Sequence, residues 1–424
     1  MALLTNSPRG TQDVLGDESY KWRYVESRLA EVCERFGYRE ARVPTFEHTE
    51  LFTRGVGDTT DVVGKEMYTM IDKGGRSITL RPEGTSGVAR AFLQNGILSG
   101  ALPARAYYIM SCFRYEKPQA GRLREFHQLG IELFGADSPD TDCEVIRVAN
   151  TIITELGIRN VRLEINSIGC PECRARYRKA LMAFFENHKS ELCGTCLERF
   201  ERNPMRILDC KSPGCQAIAA AAPLMLDYLC GDCREHFSQV GMLLKTAGIA
   251  YEINPRIVRG LDYYTRTVFE FIHDAAGAQG TVCGGGRYDG LVELLGGSSV
   301  PAVGFGMGIE RLLSVLDAEG VPIPEPEPPA LFIAYLGDKG KAIARSLSFE
   351  LVGAGVRALY DLCGRSLKAQ LKYADKTGAR MLLVIGDDEV ECGEGRLKDM
   401  RDGTETPVSL DCVRLTAALS KLLG

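Results

Sequence analysis

Residues 126–134 read Phe126-His127-Gln128-Leu129-Gly130-Ile131-Glu132-Leu133-Phe134 and alternate in character from one position to the next. Because successive side chains of a β-strand point to opposite faces, leucine and isoleucine occupy one face, while Gln128, Gly130 and Glu132 occupy the other. Such alternation is typical of an antiparallel sheet with one face in the core and one face open. The glycine between two polar side chains leaves room for a ligand against the open face.

A second strand precedes it at residues 107–116, Tyr107-Tyr108-Ile109-Met110-Ser111-Cys112-Phe113-Arg114-Tyr115-Glu116. The same parity predicts that Arg114 and Glu116 share a face. Residues 117–124 join the two strands; they are rich in Lys, Arg and Gly and include Arg122. We therefore predict an antiparallel pair with cationic and carboxylate side chains near its turn.

A third strand is predicted at residues 303–308, Val303-Gly304-Phe305-Gly306-Met307-Gly308. One face consists of three glycines, which pack nothing themselves. Two explanations remain open: a flat ligand rests on the glycines, or another backbone packs closely against them. Arg311 follows in the first turn of a predicted helix, Ile309 to Ala318, where a cation opposes the helix dipole unless an anion binds nearby.

A compact polar segment, Arg259-Gly260-Leu261-Asp262-Tyr263-Tyr264, runs into a strand-like stretch at residues 267–272. A cation, an anion and two phenols could serve one small polar ligand. A structural Arg–Asp pair with two half-buried tyrosines would give the same pattern. Arg259 and Tyr264 differ in parity, so they face one ligand only if the chain bends between them, with Gly260 as the candidate.

Arginine side chains, rather than a glycine-rich loop, are the candidates for phosphate binding. Guanidinium forks match phosphate oxygens, and the candidates are Arg114, Arg122, Arg259 and Arg311. Residues 64–66, Gly64-Lys65-Glu66, lack the first glycine and the Ser or Thr of a P-loop. The run at residues 284–286 is not a Rossmann fingerprint. A nucleotide would therefore bind on an antiparallel sheet, held by arginines.

Length and composition exclude several classes of protein. A chain of 424 residues is expected to form two or three domains. Its net charge of -5 argues against a wholly basic nucleic-acid binder, although local patches can still bind nucleic acid. The N-terminus lacks a signal-peptide core, and the longest apolar stretch, around residues 217–226, is too short to span a membrane. We predict a cytoplasmic protein with no membrane partner.

The clearest boundary is residues 321–329, where five of nine residues are proline, so we predict a linker at residues 321–330. Before it, an amphipathic helix is predicted at residues 20–36, and residues 1–169 and 251–320 form one antiparallel-sheet domain. Residues 170–250 form a helical, cysteine-rich insertion. Residues 331–424 alternate strands with helices, ending in a helix at 412–423, which predicts a small α/β domain with a largely parallel sheet.

Eight of the fifteen cysteines lie in the predicted insertion. Their spacing in close pairs is typical of metal ligands, and the pairs are Cys170 and Cys173, Cys193 and Cys196, Cys210 and Cys215, and Cys230 and Cys233. In a reducing compartment such cysteines are metal ligands or free thiols rather than disulfides. Two four-cysteine zinc sites and a set of free thiols are both compatible with the spacing.

Taken together, these motifs resemble those of bacterial histidyl-tRNA synthetases, a family of class II aminoacyl-tRNA synthetases. Residues 259–264 and 283–290 (Cys283-Gly284-Gly285-Gly286-Arg287-Tyr288-Asp289-Gly290) resemble its two histidine signatures. The class II motifs 1, 2 and 3 are resembled by residues 43–47, 113–116 and 304–311, and a further amino-acid-binding signature by residues 81–85. The resemblance covers essentially the whole chain and implies an α+β fold. It implies an antiparallel-sheet catalytic domain with a helical insertion, followed by an α/β anticodon-binding domain.

The resemblance also implies roles for individual residues. ATP would be held by Arg114, Glu116, Arg122, Arg259 and Arg311. Histidine would be held by Glu83, Gly84, Thr85, Gln128, Glu132, Tyr263 and Tyr264. Arg114 and Arg259 would be catalytic at the α-phosphate, Arg259 taking the place that other class II enzymes give to a metal ion. Glu132 and Tyr264 would meet the imidazole, although the assignment of Glu83 and Glu132 between ring and ammonium stays open.

The implied reaction is ATP-dependent ligation of L-histidine to tRNA(His) through a histidyl-adenylate, with Mg²⁺, in a homodimer. Cys112 and Cys283 would be packing residues rather than nucleophiles. A histidine-binding regulatory subunit of ATP phosphoribosyltransferase is the main alternative, although such proteins typically lack the C-terminal domain. A zinc-dependent nucleic-acid-binding module would explain the cysteines but not the polar strand faces. A helix near residues 365–376 carries Arg365, Lys368, Lys372 and Lys376, which suits anticodon contact or simple solvation.

Overall fold

The computed structural model of the protein describes residues 5–57, 60, 62–119, 121–257, 261–276 and 280–423. The chain divides into two compact units, Met1–Pro324 and Glu325–Gly424. The division between the units falls within the proline-rich segment. The assignment of residues 170–250 as a separate inserted domain stays a prediction.

The first unit contains β-strands in two sheets. In chain order they are β1 Arg39–Glu40, β2 Phe46–His48, β3 Thr69–Ile71, β4 Ser77–Leu80, β5 Ala104–Phe113, β6 Glu125–Phe134, β7 Arg162–Ser167, β8 Glu252–Ile253, β9 Thr265–Ile272, β10 Thr281–Arg287 and β11 Ala302–Gly308. The large sheet has the order β1-β5-β6-β11-β10-β9-β7-β8, and the small one β2-β4-β3. The pairs from β5 to β7 are antiparallel, and only the edge pairs β1–β5 and β7–β8 are parallel.

Helices surround this sheet. They are α1 Gly16–Arg35, α2 Thr49–Val56, α3 Thr85–Gln94, α4 Pro139–Glu155, α5 Pro171–Glu186, α6 Gly194–Arg202, α7 Pro213–Ala220, α8 Gly231–Thr246, α9 Leu291–Leu294 and α10 Ile309–Ala318. The helix predicted at residues 20–36 is α1, which begins four residues earlier. Helices α4 and α5 each begin with a proline at the first helical position, where a missing N–H costs nothing.

The alternation in β6 separates two environments. Leu129, Ile131 and Leu133 are fully buried in a core with apolar residues of α1, α4 and α10. Burying each such side chain contributes roughly 1.5–3 kcal/mol to the free energy of folding. The opposite face of β6 carries Gln128 and Glu132 and belongs to the functional site. The prediction that one face is core and the other is polar is confirmed.

One detail of the predicted strands is wrong. Strand β5 ends at Phe113, so the parity that placed Arg114 and Glu116 on one face does not extend to them. The chain turns there instead, because the N–H of Glu116 donates to the carbonyl of Arg114. The bend expected at Gly260 lies outside the described residues. Within them, β9 is irregular at Arg266, whose φ is +48°.

The second unit is a five-stranded sheet of order β13-β12-β14-β15-β16. Its strands are β12 Leu331–Tyr335, β13 Ala358–Tyr360, β14 Met381–Ile385, β15 Glu394–Asp399 and β16 Glu405–Ser409, and its helices are α11 Gly337–Gly353, α12 Leu367–Lys376, α13 Asp387–Cys392 and α14 Cys412–Leu423. β12 is buried on both faces because α11 and α14 cover one side and α12 covers the other.

The prediction of a largely parallel sheet is wrong for half of its pairs. β12 pairs with β13 and β14 in parallel, but β14–β15 and β15–β16 are antiparallel. The missed strands are polar: β15 lies second from the edge and β16 forms the edge. Pro407 lies on β16, where it disrupts no further ladder. Arg365 precedes α12 and pairs with Asp361, so only the three lysines lie on that helix. Among the helices of the described residues, none is long and apolar enough to cross a membrane.

Candidate functional site

A cavity of about 690 Å³ opens on the polar face of the large sheet. Its wall includes predicted site residues from several elements: Glu83, Thr85, Arg114, Glu116, Arg122, Gln128, Tyr263, Tyr264 and Arg311. Glu132 and Gly84 are not in the wall. The volume is within the range of small-molecule sites, about 300–1,000 Å³. The structure thus brings most of the predicted residues to one place.

Two buried carboxylates meet at Thr85, the first residue of α3. The Glu83 carboxylate accepts hydrogen bonds from the backbone N–H groups of Thr85 (2.6 Å) and Ser86 (2.9 Å). An anion is favoured at this helix N-terminus because the N–H groups there lack helical partners. The Thr85 hydroxyl donates to Glu132 Oε1 at 2.7 Å. The Glu83 carboxylate is therefore fixed by backbone, and the Glu132 carboxylate by a side chain.

Glu132 lies directly beneath the cavity wall, with 1% of its surface exposed. Besides Thr85, the hydroxyls of Tyr108 (3.2 Å) and Tyr288 donate to its carboxylate. Burial raises the pKa of Glu132 to about 8, even though these three hydroxyls favour the charged form. Thr85, Tyr108 and Tyr288 line the cavity, so in this structure Glu132 reaches the cavity through their hydroxyls.

The glycines of the open face are covered by side chains. A Cβ at Gly130 would lie 2.1 Å from Tyr108 Cζ, and one at Gly306 would lie 1.8 Å from Gln128 Nε2. The room predicted at Gly130 is therefore present, and the Tyr108 ring rather than a ligand lies there. Gly304, Gly306 and Gly308 nevertheless contribute to the cavity wall.

Three arginines form a second group in the cavity, named here the arginine cluster: Arg114, Arg122 and Arg311. Arg114 Nε donates to the Pro82 carbonyl at 2.8 Å, and its guanidinium lies 5.3 Å from the Phe126 ring centre. Arg122 Nη1 lies 3.0 Å from Glu116 Oε2. Although Arg114 and Glu116 lie beyond the end of β5, the turn directs both into the cavity wall.

Arg311 is held by backbone carbonyls rather than by an ion pair. Its Nε donates to Gly121 O (3.0 Å) and its Nη1 to Thr281 O (2.7 Å). Burial lowers the pKa of Arg311, and the neighbouring charges of Arg122 and Arg114 lower it further. Three guanidinium groups that line one cavity form a site for an anion.

The predicted segment 259–264 is described only from Leu261, and Arg259 and Gly260 lie outside the described residues. Tyr263 and Tyr264 are buried and lie ring to ring, with centres 4.8 Å apart. Tyr288 is 5.4 Å from Tyr263 and 6.3 Å from Tyr264. Three phenol rings therefore line the part of the cavity above Glu132.

Sequence reasoning missed Tyr108 and Tyr288 as site residues. Tyr108 lies directly opposite Gly130 in the β5–β6 register, so a large ring facing a glycine across the ladder was a usable signal. Tyr288 belongs to the second histidine signature, residues 283–290, from which no individual residue was predicted to act in the site. Cys112 and Cys283 are buried in the core, and burial raises the pKa of Cys112 to about 12, as suits a packing residue.

The eight insertion cysteines form two groups of four. Cluster A contains Cys170, Cys173, Cys230 and Cys233, and cluster B contains Cys193, Cys196, Cys210 and Cys215. Within each cluster the four Sγ atoms all lie within 4.8 Å of one another. Cys170 and Cys230 immediately precede α5 and α8, so cluster A joins the first turns of two helices. None of the eight forms a disulfide.

Comparisons with known proteins place the chain among sequences of one kind. The family described as histidyl-tRNA synthetase matches residues 10–312, and the anticodon binding domain family matches residues 330–417. A protein of Acetivibrio thermocellus named histidine–tRNA ligase is 54% identical over 409 residues, covering 96% of this chain and 98% of that protein. A protein of the same name from Caldanaerobacter subterraneus subsp. tengcongensis is also 54% identical, with the same coverage.

Solved structures agree with the sequence comparison. The crystal structure of apo histidyl-tRNA synthetase from S. aureus matches with a TM-score of 0.83 at 38% identity, covering 97% of this chain and 99% of that one. The match includes the antiparallel sheet and the C-terminal unit. With the cavity, its arginine cluster and these relatives in view, the chain belongs to the histidyl-tRNA synthetase family.

Proposed function

We propose that this protein ligates L-histidine to tRNA(His), using ATP and passing through a histidyl-adenylate. The observation that carries this proposal is the division of one cavity between the arginine cluster and the buried Glu83 and Glu132. A polyphosphate requires the cations, and a small molecule with an ammonium and a ring N–H requires carboxylates and hydroxyls. The relatives named histidine–tRNA ligase support the same assignment.

ATP would occupy the side of the cavity that contains the arginine cluster. Arg114 holds the α-phosphate, Arg311 the γ-phosphate and Arg122 the bent pyrophosphate end, while Glu116 accepts from the adenine amino group. By resemblance, Arg259 would face the α-phosphate as well. Mg²⁺ bound with ATP would neutralise further phosphate charge.

Histidine would lie between Gln128 and the three tyrosine rings. Glu83, Gly84, Thr85 and Gln128 would hold its ammonium and carboxylate. Tyr263 and Tyr264 would face the imidazole, and Glu132 would act on it through the hydroxyls that it binds. A site that hydrogen-bonds both ring nitrogens rejects apolar analogues by roughly 10⁴-fold, because its buried polar groups would otherwise lose their partners.

The chemistry would then proceed in two displacements. A carboxylate oxygen of histidine attacks the α-phosphorus in line, a new P–O bond forms, and pyrophosphate leaves. Catalysis comes from positioning and from neutralising charge on the phosphates. A terminal ribose hydroxyl of the tRNA next attacks the histidyl carbonyl carbon, and AMP leaves. Neither displacement uses a nucleophilic side chain of the protein.

The partners of the reaction extend beyond the cavity. Lys368, Lys372 and Lys376 are exposed on α12 of the C-terminal unit, where they would contact the anticodon arm. Two copies of the chain would pair through the motif 1 region. The small sheet there exposes Phe46, Met70 and Ile71, and apolar side chains of this size are typical of a covered interface. Placement in the cytoplasm stays a prediction.

The regulatory-subunit alternative is less well supported. A solved structure titled ATP phosphoribosyltransferase regulatory subunit/histidyl-tRNA synthetase, from Bacillus halodurans C, is 20% identical and therefore shows a shared fold only. The arginines Arg114, Arg122 and Arg311 are all in the cavity here. A paralogue that binds histidine without charging tRNA has no need of a phosphate site.

Histidine-dependent exchange of pyrophosphate into ATP, followed by tRNA charging, tests the proposal. We expect both activities in the intact chain. Arg311→Gln should lower exchange by about 10²–10³-fold, because a positioned cation is lost at the phosphates. Arg105→Gln, which breaks an ion pair with Glu144 remote from the cavity, is the matched control. Histidine binding without exchange would favour the regulatory alternative, and the absence of both would favour a binding module.

We also propose that clusters A and B each hold one structural zinc ion. Four sulfurs at Zn–S distances of about 2.3 Å in a tetrahedron lie roughly 3.8 Å apart. The separation is 3.8 Å for Cys193 and Cys210 and 3.5 Å for Cys170 and Cys173. Backbone N–H groups point at the sulfurs, as from Cys230 to Cys173 Sγ at 3.0 Å. Burial opposes ionisation of Cys173, but hydrogen bonds outweigh it and lower its pKa to about 6.

Metal analysis of protein purified without chelator is expected to give about two zinc ions per chain, since each cluster provides one complete four-sulfur set. Cys193→Ser should remove one of them, and Arg105→Gln should remove none. An absorbance band from iron–thiolate bonds would show that iron, rather than zinc, occupies the same sites. Less than about 0.5 metal ion per chain would contradict the proposal, because structural zinc sites bind tightly at neutral pH.

A further inference from the structure

Cluster A adjoins the segment that carries Tyr263 and Tyr264. Strand β7 leads into Cys170 through Ile168 and Gly169, which pair with β9. The N–H of Ile168 donates to the Arg266 carbonyl (2.8 Å), and the N–H of Arg266 donates to the Gly169 carbonyl (2.9 Å). Arg266 comes two residues after Tyr264. The first cysteine of cluster A is therefore one residue from a direct backbone link to the histidine side of the cavity.

The link allows little adjustment. Gly169 has φ +66°, and a Cβ there would lie 2.5 Å from Cys173 Cβ and 2.6 Å from Met225 Cε. Only glycine fits this turn, because a side chain would be strained by the backbone and blocked by its neighbours. Close packing against Gly169 thus fixes the position of Cys173 relative to the end of β7.

Arg174 makes the second link, from the residue immediately after Cys173. Its Nη1 donates to the carbonyls of Tyr264 (3.2 Å) and Asp262 (3.4 Å), which flank Tyr263. Arg174 is only partly exposed. Its backbone N–H donates to the Cys170 carbonyl at 3.0 Å within the first turn of α5. One side chain therefore holds the main chain on both sides of a cavity tyrosine.

A third link comes from α8, which follows the other cysteine pair of cluster A. His236 lies one turn after Cys233, and its Nδ1 is 3.4 Å from Arg266 Nη1. A metal ion bound by cluster A would fix the first turns of α5 and α8 to each other. Both helices would then hold the segment from Asp262 to Arg266 at a defined distance from Glu132.

We propose that Arg174 is a positioning residue for the histidine pocket, and that metal in cluster A holds Arg174 in register with Tyr263 and Tyr264. The proposal rests on the function proposed above. The cluster then has a role in substrate affinity in addition to folding the insertion. Arg174 contacts no substrate; it acts through the two carbonyls that it binds.

The test measures KM for histidine and KM for ATP separately in pyrophosphate exchange. Arg174→Met should raise the histidine KM about 10-fold and leave the ATP KM within about twofold, because two charged hydrogen bonds to one segment are lost. Arg174→Lys retains one donor group and should recover part of the affinity. Arg178→Met is the matched control, since Arg178 lies one turn further along α5 and donates to Glu201 O (3.0 Å) and Arg202 O (3.4 Å).

The metal arm uses Cys230→Ser, which should lower the zinc content by one ion per chain and raise the histidine KM in the same direction. Combining it with Arg174→Met should add little, because residues acting through one link are non-additive. Full additivity, or an Arg174→Met enzyme whose histidine KM matches that of Arg178→Met, would overturn the proposal. Absence of exchange in the unaltered chain would instead overturn the proposed function, so the two failures are distinguishable.

Discussion

Replacement of Glu132 by glutamine is expected to raise the KM for histidine by about 10²-fold while changing the KM for ATP little. The Glu132 carboxylate accepts from Thr85, Tyr108 and Tyr288, whose side chains line the cavity. A glutamine amide offers one oxygen where the carboxylate offers two, and it carries no charge. In the empty pocket Glu132 keeps its proton at neutral pH, but a cationic histidine beside it would favour the charged form. Hydrogen bonds to that charged form contribute about 1.5–3 kcal/mol, which corresponds to roughly 10- to 150-fold in affinity.

The same substitution should alter stability with pH in the absence of ligand. The pKa of Glu132 is raised to about 8 in the folded protein, above its usual value of 4.5. The folded state therefore retains a proton that the unfolded chain releases between these values, so this group's contribution to stability falls as pH rises from 4.5 to 8. Glu132→Gln removes that loss, and its gain at pH 8.5 is at most on the order of 4 kcal/mol.

Thermal unfolding at pH 5 and pH 8.5, together with exchange kinetics, measures both effects. The Tm of Glu132→Gln should exceed that of the unaltered chain at pH 8.5, and the difference in Tm should be smaller at pH 5. Glu144→Gln is the matched control, because Glu144 is a partly exposed partner of Arg105 outside the cavity. An unchanged histidine KM in Glu132→Gln would exclude this carboxylate from histidine recognition.

Local alternation made one face of β6 predictable, because a strand buried on one side must repeat every second residue. The same logic failed at Arg114 and Glu116. Parity holds only while the strand continues, and β5 stops at Phe113. Where the strand stops depends on long-range bonds, such as that from the N–H of Tyr115 to the carbonyl of Glu66. Period-two patterns carry no such information.

Residues whose role depends on cross-strand register were the ones missed. The Tyr108 ring lies over Gly130 only because β5 and β6 pair in that register. Cysteine spacing likewise predicted close pairs but not their partners. The outer pairs combine into cluster A and the inner pairs into cluster B, a nested arrangement set by the tertiary fold. The polar strands β15 and β16 were not predicted, because few of their side chains are buried and their sequences lack the apolar run of a core strand.

The largest loss of stability is expected from replacing Arg287, which has no exposed surface. Its Nη2 and Nε bond the Asp142 carboxylate, and its Nη1 lies 3.1 Å from Asp289 Oδ1. Further donors reach the carbonyls of Ala136 and Ser138. Burial works against the charges of both Arg287 and Asp142. For Asp142, the hydrogen bond from His236 and the charge of Arg287 outweigh burial and lower the pKa. For Arg287, the charge of Asp142 outweighs burial and raises the pKa.

Arg287→Met should therefore lower the free energy of unfolding by about 3–5 kcal/mol, because Asp142 is left charged in the interior. Denaturant titration measures this loss. The double variant Arg287→Met with Asp142→Leu removes both charges and should recover much of it, since apolar pairs of similar volume often replace buried ion pairs. Surviving activity should fall as well, because Arg287 directly precedes Tyr288, whose hydroxyl donates to Glu132. If the single variant were as stable as the double, the unpaired charge of Asp142 would cost nothing in the interior. Tyr288 would then be held in place by its bond to Glu132 and its ring contacts with Tyr263 and Tyr264, rather than by this ion pair.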